Sequence, residues 1–412
     1  MRILLFSSDS KGIAYLSPIH VELLKRGHES FFLYNPNNLT AYPKSEMEKY
    51  MYDSSGTEYD FKGELISDTL NIPLPFKPQY LIVHRERWDP EQSVLREFKE
   101  KFNTKIILVE VNTQIANVIE SRLEAISRTK YPQSDIDLFF DHSDFCLENR
   151  KKLVDFDGFD KSIVVGNPCY DNNILGGVNN EVYEKYGIDK NKKQILFYGL
   201  INMDRNIAFE LLENLSDKIT DDYQIHYKPF PGEPFNSMWM NDFLPDFRVK
   251  NVNVIRDHFD LFSMYSICDI HIGVIGSVMY PPLLMNKKVV NINNHCTYLD
   301  RGNDVNVYLE EDSVGAGDGS AKFWMRVHEL ETIDEFKNLV DFDRIELFKK
   351  DNERVKDIIN KGTYNYDYDL KFLTDESKKD YSELLKLFDD YNDGMASNRI
   401  VTYLEENELK LL

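Results

Sequence analysis

Three loops of this 412-residue chain combine residue types that suit an anion. In Gly273-Val-Ile-Gly276-Ser277-Val278-Met279-Tyr280, two glycines follow an apolar run and a serine opens the next segment. Such a turn offers backbone N–H groups, the positive end of a helix and a hydroxyl, a set that suits a diphosphate. An ordinary strand-to-helix turn with a serine cap has the same sequence. In His226-Tyr227-Lys228-Pro229-Phe230-Pro231-Gly232-Glu233, a lysine leaves a strand into a proline-stiffened turn, either to neutralise phosphate or to stand in solvent. Gly199-Leu-Ile-Asn202-Met-Asp204-Arg205 sets an arginine at a helix start, as a phosphate clamp or as a surface charge beside Asp204.

Proton chemistry has two candidates. Asp9, in Ser7-Ser8-Asp9-Ser10-Lys11-Gly12, stands where a catalytic base would meet an acceptor hydroxyl, although an Asx turn is the commoner role of a single loop aspartate. Glu110, ending the strand from Lys105, is the competing base. His20 reads as a packed mid-helix residue and His28 as part of a helix end. The chain contains no HExxH, no GxSxG elbow and no phosphate loop ending in GK[ST], which removes support for zinc peptidase, serine hydrolase and common triphosphatase chemistry. The GxGxxG fingerprint is also missing, so oxidoreductase chemistry is disfavoured; Gly315-Ala-Gly-Asp-Gly319 reads as a loop that closes over the crevice.

These loops need a framework. The chain alternates apolar runs with helical segments: strands over 2–6, 30–34, 80–84, 105–110, 137–140 and 163–165, with helices ending at Lys25-Arg26-Gly27, opening at Asp89-Pro90, and over 114–127 and 144–154. Gly166, Asn167 and Pro168 stop the last strand, with Pro168 and Asp171 read as structural. The pattern restarts with strands over 194–198, 223–227, 252–255, 269–273 and 288–292, and helices over 205–215, 259–266 and 277–285. Amphipathic helices follow over 347–359 and 377–391, and Tyr364-Asn-Tyr-Asp-Tyr-Asp369 reads as a biased loop. Alternation of this kind implies an α/β protein whose parallel sheets are covered on both faces.

The boundaries expected are an N-terminal Rossmann-like domain over 1–168, a hinge over 169–193, a second Rossmann-like domain over 194–385, and C-terminal helices over 386–412 packing back on the first domain. At 42% hydrophobic residues and 13% aromatics the composition is globular. No apolar run approaches the roughly 20 residues that span a bilayer. The start, Met1-Arg-Ile-Leu-Leu-Phe6, lacks the pattern of a signal peptide, so a cytoplasmic protein is expected. Four cysteines without CxxC spacing suggest buried thiols rather than a disulfide or zinc framework. A net charge of -21 repels a phosphate backbone and makes nucleic acid an unsuitable main partner.

Taken together, the Val165-Gly166-Asn167-Pro168 hinge with Asp171 after it, Tyr227-Lys228-Pro229, Cys268-Asp269-Ile-His-Ile, Gly276-Ser277-Val278 and Leu284-Met-Asn-Lys-Lys-Val-Val290 resemble the GT-B glycosyltransferase superfamily. The resemblance is nearest to polyol-phosphate transferases, capsule polymerases and UDP-GlcNAc 2-epimerases, and covers about three quarters of the chain. It implies two Rossmann-like domains facing across a cleft, a nucleotide-activated sugar as donor and no obligatory metal or other cofactor. It places Gly276, Ser277, Val278 and Tyr280 at the donor diphosphate, with Lys228, Arg205, Asn202 and Gly199 nearby and Ile255 and Asp257 near the base. Two departures stand out. Pro281-Pro282 replaces the carboxylate that holds the ribose in many such transferases, and Gly276 replaces the first serine of a common pair.

The function implied is transfer of a sugar to a glycan or other hydroxyl acceptor, in surface polysaccharide or glycoconjugate synthesis, with Asp9 or Glu110 as base. Polyol-phosphate transfer, sugar-nucleotide 2-epimerisation and a non-catalytic sugar-nucleotide-binding role are the alternatives.

Overall fold

The computed structural model describes residues 1–7, 10–34, 63–65, 74–84, 91–110, 136–153, 160–171, 178, 180–199, 205–228, 249, 251–255, 261–296, 325 and 329–411. The chain divides into two compact units. The first comprises 1–113, 126–177 and 386–412, and the second 114–125 and 178–385.

In the first unit, seven parallel strands stand in the order β3-β2-β1-β4-β5-β6-β7. They are β1 (Arg2–Ser7), β2 (Glu29–Tyr34), β3 (Gly63–Leu65), β4 (Tyr80–Val83), β5 (Lys105–Val109), β6 (Ile136–Asp141) and β7 (Ser162–Val164). Continuous apolar runs suit strands buried on both faces, and alternate residues divide between two cores. Ile3, Leu5, Ile82, Ile107 and Val109 pack with Leu16, Ile19 and Leu23 of the helix Ser10–Lys25 and with Ile400, Val401 and Leu404 of the C-terminal helix Ala396–Leu411. Leu4, Phe6, Leu81, Val83, Ile106 and Leu108 pack with Val94, Leu95 and Phe98 of the helix Glu91–Phe102. The short strand β3 has no counterpart among the sequence expectations, because three residues without a β-branched side chain carry almost no signal.

The turn after β7 is held by residues 389–399 of the same unit. Gly166 has φ +89, and a Cβ there would stand 2.8 Å from Asp389 Oδ1 and 2.9 Å from an Arg399 guanidinium nitrogen. Asn167 N donates to Asp389 Oδ2 at 2.9 Å, and Arg399 Nε donates to the Val165 carbonyl at 2.6 Å. Asp171 accepts from Ala396 N at 2.9 Å and Ser397 N at 2.8 Å, satisfying N–H groups that the helix Ala396–Leu411 leaves open at its start. Further along, Arg26 and His28 meet Glu405 at 2.7 and 2.8 Å.

Burial, opposed by those N–H groups, pushes the Asp171 carboxyl up to about 6 from 3.8. A carboxyl raised on folding binds its proton more tightly in the native chain, so its contribution is fully present below about pH 4 and is lost as pH rises through about 6. The change is roughly 2–3 kcal/mol. Urea denaturation across this window should therefore show the native chain losing stability relative to Asp171→Asn by that amount. Parallel pH profiles for the two would mean that Asp171 does not titrate there.

The second unit has six parallel strands in the order β10-β9-β8-β11-β12-β13. These are β8 (Lys193–Tyr198), β9 (Tyr223–Lys228), β10 (Val252–Val254), β11 (Ile270–Gly273), β12 (Lys288–Asn291) and β13 (Tyr364–Asn365). Ile195, Phe197, Ile225, Tyr227, Ile270 and Ile272 form one core with Ala208, Leu211, Leu212 and Leu215 of the helix Arg205–Lys218.

The structure corrects three local expectations. Tyr364-Asn365 is not loop but an edge strand, paired Val290↔Tyr364 and Asn291↔Asn365, and Tyr364 and Tyr366 join the core. The alternating Tyr-Asn-Tyr-Asp-Tyr-Asp carries a period-2 signal that its polar half obscures. The helix expected over 277–285 is a 3-10 turn, Ser277–Met279, followed by a five-residue helix, Tyr280–Leu284. Pro281 and Pro282 remove two N–H groups there, and Asn286 at φ 53 ends the segment. The helix expected over 377–391 is confined to Ser382–Phe388, with Asp380 accepting from Ser382 N at 2.9 Å. The helix expected over 114–127 lies outside the described residues.

Candidate functional site

Both sheets have the doubly wound order in which the chain reverses direction across the sheet, and ligands of such sheets bind beyond the carboxyl ends of the strands at that switch point. In the second unit the switch point lies between β8 and β11. Register aligns Tyr198 with Lys228 and Gly273 with Asn291. Gly199 N donates to the Lys228 carbonyl at 2.7 Å, and Ile255 N donates to the Tyr227 carbonyl at 2.8 Å. Gly199, Lys228, Ile255 and the turn from Gly273 to Tyr280 therefore share one edge.

They also share a face. Residues i and i+2 of a strand point the same way, so Lys228 lies with His226, Tyr198 and His271, opposite the core of Phe197 and Tyr227. A Cβ on Gly273 would stand 3.2 Å from Tyr198 Cβ and 3.5 Å from Met279 Sδ, so this glycine permits the turn to fold onto that face. Beneath it, the Tyr198 hydroxyl and His271 Nδ1 are hydrogen-bonded at 3.0 Å, and His226 Nε2 meets Gln194 Oε1 at 2.7 Å. Burial lowers His226 to about 4 and His271 to about 3, which leaves both rings neutral at neutral pH. Of these four side chains Lys228, 4% exposed, is the one that ends in an amine.

Gly276 differs from Gly273. No atom of the described residues comes within 4 Å of the Cβ it would carry, and its φ lies outside the left-handed range. Neither backbone conformation nor packing requires glycine there, whereas close approach of a ligand to the backbone would. Val278 is half-buried, and the ring of Tyr280 is 1% exposed and belongs to the interior. Arg205 opens its helix and Ser277 opens the 3-10 turn, with their side chains outside the description. Asn202 and Asp257 lie outside the described residues.

The shortness of the helix after Ser277 changes the electrostatics expected from sequence. Five residues with prolines in the first turn supply little macrodipole. Among the described residues, what this edge offers an anion is loop N–H groups and the Lys228 amine.

In the first unit the switch point lies between β1 and β4. Gly12, in the first turn of the helix Ser10–Lys25, has no room for a Cβ, which would fall 2.2 Å from His84 Nδ1 and 2.4 Å from Ser7 Oγ. Glu110 follows β5, is 2% exposed, and donates its N–H to the Phe140 carbonyl at 2.9 Å. Tyr15 stacks on His142 with ring centroids 5.5 Å apart. Burial raises the Tyr15 hydroxyl well above its usual value, and the neighbouring Cys169, Glu110 and Cys146 add to this, with the polar side chain of Asn167 opposing. Glu110 thus sits in a buried polar group with Tyr15 and Asn167, and His84 and His142 follow adjacent strands. Asp9 lies outside the described residues. Sequence reasoning passed over His84 and His142, although each directly follows a strand, at the level where catalytic side chains gather.

Among the described residues, no group of three or more His, Cys, Asp or Glu is placed to hold a metal ion. No helix among them is long and apolar enough to cross a membrane.

No family model matches the sequence, and no curated protein does. Solved structures do resemble it along nearly the whole chain. A UDP-GlcNAc 2-epimerase from Neisseria meningitidis, bound to UDP-GlcNAc, aligns with a TM-score of 0.53 at 14% identity, covering 99% of this chain and 100% of its own. The UDP-GlcNAc 2-epimerase from Methanocaldococcus jannaschii gives 0.52 at 15% identity, over 98% and 99% of the two chains. The wall teichoic acid polymerase TagF gives 0.51 at 13% identity, over 98% and 88%. The fold is GT-B. The switch point of the second unit is lined by Gly273, Gly276 and Lys228, and Glu110 stands at the strand ends of the first. At these identities the likeness fixes architecture and leaves activity to the residues.

Proposed function

We propose that this chain is a nucleotide-sugar-dependent enzyme, and specifically a glycosyltransferase that moves a sugar to a hydroxyl acceptor in glycan or glycoconjugate synthesis. The observation that carries the donor half is the edge at β8 and β11, where the Cβ direction of Gly276 is open among the described residues and Lys228 lies on the same sheet face. Loop N–H groups and the lysine bind the diphosphate and stabilise it as it departs. Glu110 carries the acceptor half. As the acceptor oxygen bonds to the anomeric carbon, the bond from that carbon to the diphosphate breaks. Its electron pair leaves with the diphosphate oxygen, and the acceptor proton passes to the Glu110 carboxylate.

Gly276→Val tests the donor edge. The open Cβ direction and ordinary φ predict an unchanged melting temperature. The isopropyl group would occupy the diphosphate's place, so affinity for the nucleoside diphosphate should fall at least tenfold by titration calorimetry, about 1.4 kcal/mol. Equal affinity in the variant would remove the diphosphate from this turn.

The second reading is sugar-nucleotide 2-epimerisation, supported by the end-to-end likeness to two epimerases. Incubation with donor alone separates the two: an epimerase yields a new sugar nucleotide, whereas a transferase yields product only when acceptor is present.

A further inference from the structure

We infer that Asn293 is a donor-contacting residue whose amide both sets the shape of the Val274–Gly276 turn and donates a hydrogen bond to the donor diphosphate. This rests on the donor reading above.

Ile292 N donates to the Gly273 carbonyl at 3.1 Å, one step past the last register pair of β11 and β12. The next residue turns its side chain back: Asn293 Oδ1 accepts from Ile275 N at 3.0 Å. This bond fixes which way the amide faces, because a flipped amide would set Nδ2 against the Ile275 N–H, donor against donor. The residue ahead is fixed as well. Asn291 Oδ1 accepts from Asn293 N at 3.3 Å, while its Nδ2 donates to Thr363 Oγ1 at 2.6 Å and Asn365 Oδ1 at 2.9 Å. The Asn293 amide is therefore anchored from the neighbouring strand and reaches the turn with its acceptor satisfied.

Its other end is not satisfied. Asn293 is 8% exposed, and its Nδ2 is buried with no acceptor among the described residues. A buried amide donor without a partner is costly, and native chains seldom retain one outside functional sites. Nδ2 sits on the same planar group whose oxygen touches Ile275, one residue before the open backbone of Gly276. An acceptor-only, anionic group beside Gly276 meets both requirements, and phosphate oxygens are such acceptors.

The test is Asn293→Asp, which keeps an acceptor for Ile275 N–H and replaces the donor with a carboxylate oxygen. Titration calorimetry with UDP and UMP, and with CDP and CMP, reads the effect. The expected result is at least a tenfold loss of diphosphate affinity with monophosphate affinity held within about threefold, in a chain of native circular dichroism. Should a buried carboxylate prevent folding, Asn293→Ala adds no charge and should show the same selective loss. A variant that binds UDP or CDP as tightly as the native chain overturns the inference and leaves the donor reading intact. Equal weakening of mono- and diphosphates also overturns it, since that is the mark of a merely structural residue. A native chain that binds none of the four sinks the donor reading and this inference with it.

Discussion

Replacing Glu110 with glutamine is expected to lower turnover by two to four orders of magnitude while leaving donor affinity within about twofold, the range for loss of a positioned general base. The side chain keeps its shape and most of its hydrogen-bonding capacity, so the backbone bond to the Phe140 carbonyl and the packing around Tyr15 and His142 should persist. What disappears is the ability to accept a proton. Loss confined to kcat, with donor binding unchanged by calorimetry, would match a base acting on the acceptor. Full activity in the variant would move the proton to another group, and Asp9 would be the next to replace.

The largest effect on stability is expected at Gly166→Ala. The position has φ +89, where an L residue is strained by roughly 1–2 kcal/mol. A Cβ would also stand within 3.0 Å of both Asp389 carboxylate oxygens and of Arg399. Those side chains cannot withdraw without cost, since Asp389 accepts from Asn167 N and Arg399 holds the Val165 carbonyl while pairing with Asp393 at 2.8 Å. A total loss of about 3 kcal/mol or more is expected from strain and a broken charged network together. Because the chain has two units, unfolding should be followed by proteolysis within 1–110 as well as by urea, as one two-state transition is not assured. Native resistance in the variant would mean that the 389–399 segment yields without penalty.

Apolar runs made most of the architecture legible. Ile3–Phe6, Leu81–Val83 and Ile106–Val109 are continuous because both faces of a parallel strand are buried, and helices between them announce the crossovers. Short elements were not legible. Two residues of β13 and three of β3 depend on pairing partners far away in sequence, and the proline pair after Tyr280 shortens the helix that Gly276 and Ser277 signal.

The site divides along the same line. By itself the sequence determined that the chain is α/β, that glycine, lysine and carboxylate residues stand at strand ends, and that Gly166 marks a special turn, because periodicity and backbone restrictions are local. Only tertiary structure decided that Lys228 shares a sheet face with the Gly273–Tyr280 turn, that Gly273 is demanded by Tyr198 while no described residue demands Gly276, that Asp171 caps a helix 225 residues later, and that Asn293 grips Ile275. Strand order and register set these relations, and both arise from packing between segments remote in the chain.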